Sequence, residues 1–139
     1  MINFNINMGE GQVRRPAQRT ILIIEDEGSS RWALAENLRK ENFDVLEAKD
    51  GEAGLALAMG RRPDLILLDL VLPKIGGMEL LKTLRADDWG KNVPVIIVTG
   101  LSDPAIISEA AGLGVSDFLV KNDWTLEAIV GKVKQKVLE

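Results

Sequence analysis

Cysteine and histidine are both missing from this chain. Without cysteine there are no disulfides and no thiolate metal sites. Without histidine, Ser-His and Cys-His catalysis is excluded, along with most zinc sites. Nor can the chain carry a phosphohistidine of its own. No apolar run approaches the ~20 residues needed to span a bilayer. The N-terminus has no continuous apolar segment, so no secretory signal peptide is expected. A cytoplasmic location without membrane insertion is the resulting expectation. Excess positive charge is also absent: the formal net charge is -4. That argues against direct nucleic-acid binding.

What is present is the material of one globular domain. The chain has 139 residues, 46% of them hydrophobic and 27% charged. A length of ~100–200 residues is usual for a single domain. Its organising stretch is Leu65-Ile66-Leu67-Leu68-Asp69. A run apolar at every position has no polar face, so it suits a strand covered on both sides. Pro63 and Pro73 punctuate its ends. Three further runs share this design. Ile21-Leu22-Ile23-Ile24 ends in Glu25-Asp26-Glu27. Val95-Ile96-Ile97-Val98 ends in Thr99. Phe118-Leu119-Val120 ends in Lys121. If these strands lie parallel, their polar tips gather at one sheet edge, where open α/β sheets bind ligands.

From Thr20 the pattern alternates strand and helix. Strands are expected near 20–25, 44–47, 65–68, from Pro94, and at 118–120. Helices are expected near 29–41 with Ser29 or Ser30 as cap, from Asp50 through Met59, and from Gly76-Gly77 to about Ala86. A fourth helix starts at Asp103-Pro104, an N-cap followed by proline in the first turn. A fifth, capped by Asn122 or Asp123, carries the apolar stripe Leu126, Ile129, Val130, Val133 and Val137. Five strands alternating with five helices imply a doubly covered parallel sheet. Residues 1–19 hold no sustained period and read as a flexible tail preceding a domain at 20–139. The alternation Ile2, Phe4, Ile6 leaves open a docking arm. Trp89 and Trp124 are expected to pack at the edge of the core, with an interface as the alternative.

The motifs ILIIEDE, LILLDLVLPKIGG, VPVIIVTG and DFLVK, in this order and spacing, resemble the receiver (CheY-like) domains of two-component response regulators. The resemblance covers residues 20–138. It implies a flavodoxin-like fold with strand order 2-1-3-4-5. It also implies that Asp69 is the phosphoacceptor, which suits a carboxylate fixed at the end of a buried strand. Glu25 and Asp26 match the acidic pair that holds Mg2+. Asp26 and Asp69 would be direct ligands, Glu25 would act through water, and the Val71 main-chain carbonyl would add another ligand. Such a cation offsets the negative charge of phosphoryl transfer. Thr99 and Phe118 match the switch pair, and Lys121 matches the lysine that pairs with Asp69 and later with the phosphoryl group. Glu27 reads as a solvated loop residue.

Three positions depart from the family pattern. Asn122 stands where proline usually follows the lysine, so the loop after Lys121 is expected to differ in shape. Gly76-Gly77 replaces the usual Asp-Gly, and Gly28 replaces a frequent proline. None is a reacting group. A stand-alone regulator is expected, since beyond the tail no sequence remains for an output domain unless the chain is a fragment; the resemblance implies no enzyme beyond its own phosphorylation and dephosphorylation. The phosphoryl group would come from a histidine kinase or phosphotransfer protein. An output protein, or a second copy forming a homodimer, would bind the face of helix four, strand five and helix five. Val71 and Leu101 would flank the acyl phosphate and slow its hydrolysis. An unphosphorylated pseudo-receiver is the first alternative. A small Mg2+-dependent phosphatase is the second, and it lacks a second aspartate at Val71 to act as general acid.

Overall fold

The computed structural model describes residues 18–138. The docking arm expected at Ile2, Phe4 and Ile6 lies outside them. Strands β1 (Thr20–Ile24), β2 (Asp44–Ala48), β3 (Leu65–Leu68), β4 (Val95–Thr99) and β5 (Asp117–Val120) alternate with helices α1 (Gly28–Lys40), α2 (Gly51–Arg61), α3 (Gly77–Arg85), α4 (Pro104–Gly112) and α5 (Leu126–Val137). The strands form one parallel sheet in the order β2-β1-β3-β4-β5. This is the flavodoxin-like arrangement implied by the motifs.

Side chains alternate across a strand, so a run that is apolar throughout feeds two cores. Ile21, Ile23, Leu65, Leu67, Ile96 and Val98 pack against Leu34 and Leu38 of α1 and Ile129, Val130 and Val133 of α5. Leu22, Ile24, Ile66, Leu68, Val95 and Ile97 face Leu80, Leu81 and Leu84 of α3, Ala58 of α2 and Ala110 of α4. All four residues of β3 are fully buried. Each large aliphatic side chain so placed contributes about 1.5–3 kcal/mol relative to exposure. The site at the end of β3 therefore stands on a fully buried strand.

The helix starts correct the sequence reading in two places. Glu27, not Ser29 or Ser30, caps α1, its Oε1 accepting from the Ser30 N–H at 2.8 Å. Its longer side chain folds back over the first turn, and Ser29 Oγ donates to its other oxygen. Hydrogen bonds from Ser29 and Ser30 hold the Glu27 carboxyl well below the usual range, at about 2. Thr125, not Asn122 or Asp123, caps α5, accepting from the Ala128 N–H at 3.1 Å. Lys121–Asp123 instead form one 3-10 turn. Asp50 and Asp103 cap α2 and α4 as expected, and α2 runs on to Arg61, where Arg62 closes it in the left-handed conformation. Trp89 and Trp124 are half-buried against the two cores, while Trp32 on α1 is 63% exposed. Gln18 and Arg19 are tied to the start of β2: Gln18 Nε2 donates to Asp44 Oδ1, and the Asp44 N–H donates to the Arg19 carbonyl.

Gly77 opens α3 directly against the two residues that follow β3. A Cβ there would lie 2.5 Å from the Asp69 carbonyl oxygen and 2.5 Å from the Leu70 Cα. Both contacts are backbone, so neither can swing aside. Gly112, at the end of α4, has open space around it. We expect Gly77→Ala to cost about 1–3 kcal/mol. Gly112→Ala should be neutral or stabilise by up to about 1 kcal/mol. Denaturant midpoints measure both; equal effects would contradict the packing described here.

Candidate functional site

The β-strand ladder brings four chain segments to one edge of the sheet. Ile24 lies beside Leu68, Leu68 beside Ile97, and Thr99 beside Val120. The Asp69 N–H donates to the Ile24 carbonyl at 3.0 Å, extending the ladder one residue past β3. Each strand exits here into a polar residue, so the tips meet without any help from long loops.

Asp69 is buried, and both carboxylate oxygens are occupied. Oδ1 accepts from Thr99 Oγ1 at 2.7 Å and from the Val71 N–H at 3.1 Å. Oδ2 accepts from Lys121 Nζ at 3.1 Å. Lys121 Nζ also donates to Glu25 Oε1, whose partner oxygen Oε2 accepts from the Glu27 N–H at 3.0 Å. Thr99 is fully buried and already touches Asp69 before any modification. The Lys121–Glu25 contact was not visible in the sequence, which paired the lysine with Asp69 alone.

Glu25, Asp26 and Asp69 each offer a carboxylate oxygen, and these atoms lie within 4.8 Å of one another. Among the described residues, Lys121 is the one ammonium paired with this group of three carboxylates, and it binds Glu25 and Asp69 only. Burial, together with repulsion from Asp69, raises the Glu25 carboxyl above its ordinary range despite the hydrogen bond from Lys121. Burial alone would lower the Lys121 ammonium, but its hydrogen bonds to Glu25 and Asp69 outweigh that and hold it above its ordinary value. Negative charge left uncompensated among hard oxygen donors is what a small divalent cation requires. Mg2+ takes such ligands at about 2.0–2.1 Å and retains several waters. Asp26, being exposed, leaves one side of the group open to solvent.

The remaining sequence candidates sit around this centre. Val71 follows at the rim, 56% exposed. Leu101 is half-buried against the core on the α3 face. Phe118 lies beside Ile97 in the ladder and packs half-buried on the same core. Strand alternation puts it on the Thr99 side of the sheet. One residue escaped the sequence reading altogether. Arg31 Nη1 donates to the Glu25 carbonyl at 2.8 Å, and only the helical placement of α1 brings it there.

Comparisons with known proteins agree with the fold. The model of the response regulator receiver domain matches residues 21–134. The chain is 35% identical over 114 residues to the DNA-binding dual master transcriptional regulator RpaA of a Synechocystis strain, covering 82% of this chain and 47% of that one. It is 32% identical over 105 residues to the autoinducer sensor kinase/phosphatase CqsS of Vibrio cholerae, covering 75% of this chain and 15% of that one. The chain thus spans about half the length, or less, of the curated relatives it matches. Among solved structures it superposes on the chemotaxis protein CheY4 of Vibrio cholerae with a TM-score of 0.78 at 26% identity, covering 85% of this chain and 98% of that one. The Mn(2+)-bound form of response regulator Rcp1 gives a TM-score of 0.76 at 26% identity, over 87% of this chain and 95% of that one.

The raised Glu25 carboxyl has a signed consequence. A group whose folded pKa exceeds its unfolded value near 4.5 favours folding below that value, and the benefit is lost as pH rises through the folded value. Ionised Glu25 therefore costs stability at neutral pH in the metal-free protein. We expect Glu25→Gln to be more stable than the parent at pH 7 without divalent cations. The difference should shrink as pH falls through the raised folded value toward 4.5. Urea midpoints from pH 4 to 7 check this; a variant less stable than the parent at pH 7 would contradict it.

Proposed function

This chain belongs to the response regulator receiver family, and from that premise we propose that Asp69 is its phosphoacceptor and the group around it the signalling site. One observation carries the reading. A buried carboxylate from β3 is held at once by a hydroxyl from β4 and an ammonium from just after β5. Those are the groups that a phosphoryl group bound there would need as donors.

Because the chain holds no histidine, the phosphoryl group must come from elsewhere. The donor we propose is the phosphorylated imidazole of a histidine kinase or phosphotransfer protein. An Asp69 carboxylate oxygen attacks the phosphorus in line. The new P–O bond forms as the P–N bond breaks, and the electron pair leaves with the imidazole nitrogen. Lys121 moves from pairing with the carboxylate to pairing with a phosphoryl oxygen, as a compact point charge can. Thr99 transfers its hydrogen bond from Asp69 Oδ1 to another phosphoryl oxygen. Asp26 and Asp69 would hold Mg2+ directly, Glu25 through water, and the Val71 main-chain carbonyl would complete the protein's share. When bound, the cation offsets negative charge and orients the phosphoryl oxygens. The Mn(2+)-bound form of Rcp1 supports a divalent cation in this fold.

The displaced Thr99 hydroxyl leaves space on its side of the sheet. Phe118 is half-buried there and has no hydroxyl to anchor it outward. We propose that it turns inward and so alters the face of α4, β5 and α5. A binding partner can exploit that change only through different affinity for the two states. Output would then be carried by a partner protein, or by pairing of two copies on that face. Residues 20–139 would act as the receiver and residues 1–19 as a tail preceding it. RpaA is a DNA-binding regulator, of which this chain overlaps about half; for these residues the reading is a receiver acting in the cytoplasm. Among the described residues no helix is long and apolar enough to cross a membrane.

Labelling by a small phosphodonor should require Mg2+ and disappear in Asp69→Asn. Labelling that persists in Asp69→Asn, or never occurs, would contradict the assignment. The lifetime of the product gives a second prediction. Val71 presents an apolar side chain at the rim, and Leu101 is apolar on the β4 side, so neither can guide an attacking water. Val71→Asn should lose its phosphoryl group faster than the parent, as followed by decay of the label. An unchanged decay rate would refute the role of Val71.

A further inference from the structure

Asp26 is the one member of the acidic group that nothing holds by its side chain. Among the described residues its carboxylate has no hydrogen bond and no ion pair, whereas Glu25 and Asp69 are fixed through Lys121, main-chain N–H groups and Thr99. The direction of Asp26 is therefore set by its main chain. That main chain has left the sheet: β1 ends at Ile24. The Glu25 N–H still reaches the Ala48 carbonyl at 3.0 Å. The Glu25 carbonyl, which shares a peptide plane with the Asp26 nitrogen, accepts from Arg31 Nη1 at 2.8 Å.

Arg31 is itself held. Its Nε donates to Glu47 Oε1 at 3.2 Å, and the pair is only 21% and 30% exposed. Glu47 is braced in turn by Arg39 Nη2 at 3.1 Å on its other oxygen. The planar guanidinium thus bridges a carboxylate on β2 and the peptide that precedes Asp26. A lysine, with one point of charge, cannot span both in that fixed fork.

We propose that Arg31 is a positioning residue for the cation site: it clamps the Glu25–Asp26 peptide so that the free Asp26 carboxylate faces Asp69 and Glu25. The inference rests on the cation reading given above. It makes a prediction opposite in sign to simple electrostatics. Removing a positive charge beside an acidic site should tighten cation binding if charge alone mattered. If Arg31 holds the peptide, its removal loosens binding. Groups that orient metal ligands from behind are typically worth about 10–100-fold in metal affinity.

The test is calorimetric titration of the full chain with MgCl2, beside its thermal unfolding without metal. Arg31→Met should weaken Mg2+ binding by about 10-fold or more. Arg39→Met removes a similar charge from the same Glu47 but leaves the peptide clamped, so its Mg2+ affinity should stay within about twofold of the parent. Arg31→Lys should also weaken binding, and it serves in place of Arg31→Met should that variant not fold. An Arg31 variant with lower unfolding temperature but unchanged or tighter Mg2+ affinity would overturn the inference while leaving the cation site standing. A parent chain that takes up no Mg2+ would overturn both.

Discussion

An ammonium held between two buried carboxylates is the interaction on which this site depends. Glu25 and Asp69 are each less than a tenth exposed, and ions so placed cannot be left unpaired. Removing the shared cation from a buried pair commonly costs about 3–5 kcal/mol, although the 31% exposure of Lys121 places this cluster below that range. The pairing is also incomplete by design of the residues present: one ammonium faces three carboxylates. The folded chain therefore carries a standing demand for positive charge at one spot. In the proposed reading a divalent cation would meet that demand, and a phosphoryl group beside it would offer new acceptors to Lys121 and Thr99.

Such a cluster needs a frame that does not yield. The frame is the two-faced sheet, whose central strands are apolar at every position and lie at 0–1% exposure along β3. A second clamp holds the opposite end. Arg85, at the end of α3, donates to the carbonyls of Leu113, Gly90 and Val93 at 2.7–2.8 Å and to that of Gly114 at 3.2 Å. One side chain thereby ties α3 to the loops on either side of β4 and α4. Rigidity away from the site leaves the polar tips as the part free to respond.

Most of this frame was legible in the sequence because its signals are local. Runs without a polar face named the strands, and Asp50 and Asp103-Pro104 named two helix starts. The misplaced caps have a common cause. Glu27 was read as solvated because glutamate is not a usual N-cap, yet its side chain reaches the Ser30 N–H. Asn122 and Asp123 look like caps, but they sit inside the turn that follows Lys121; Thr125, directly before the apolar stripe, takes the role. What could not be read depends on register between distant segments. The Lys121–Glu25 pair joins residues 96 apart, and Arg85 meets carbonyls 28 and 29 residues away. Arg31 is near Glu25 in sequence, but its contact requires both the turn of α1 and the placement of Glu47 on β2.

The central claim is that separate strands deliver Asp26, Asp69, Thr99 and Lys121 to one cation-holding pocket. Paramagnetic relaxation of amide resonances by Mn2+, added in small amounts to the labelled protein, tests that claim most directly. The account predicts strong broadening confined to residues around 25–27, 69–71, 99–101 and 121, with none at the acidic turn Asp87-Asp88. Broadening spread over the exposed acidic surface, or absent from the ends of β1 and β3, would contradict it.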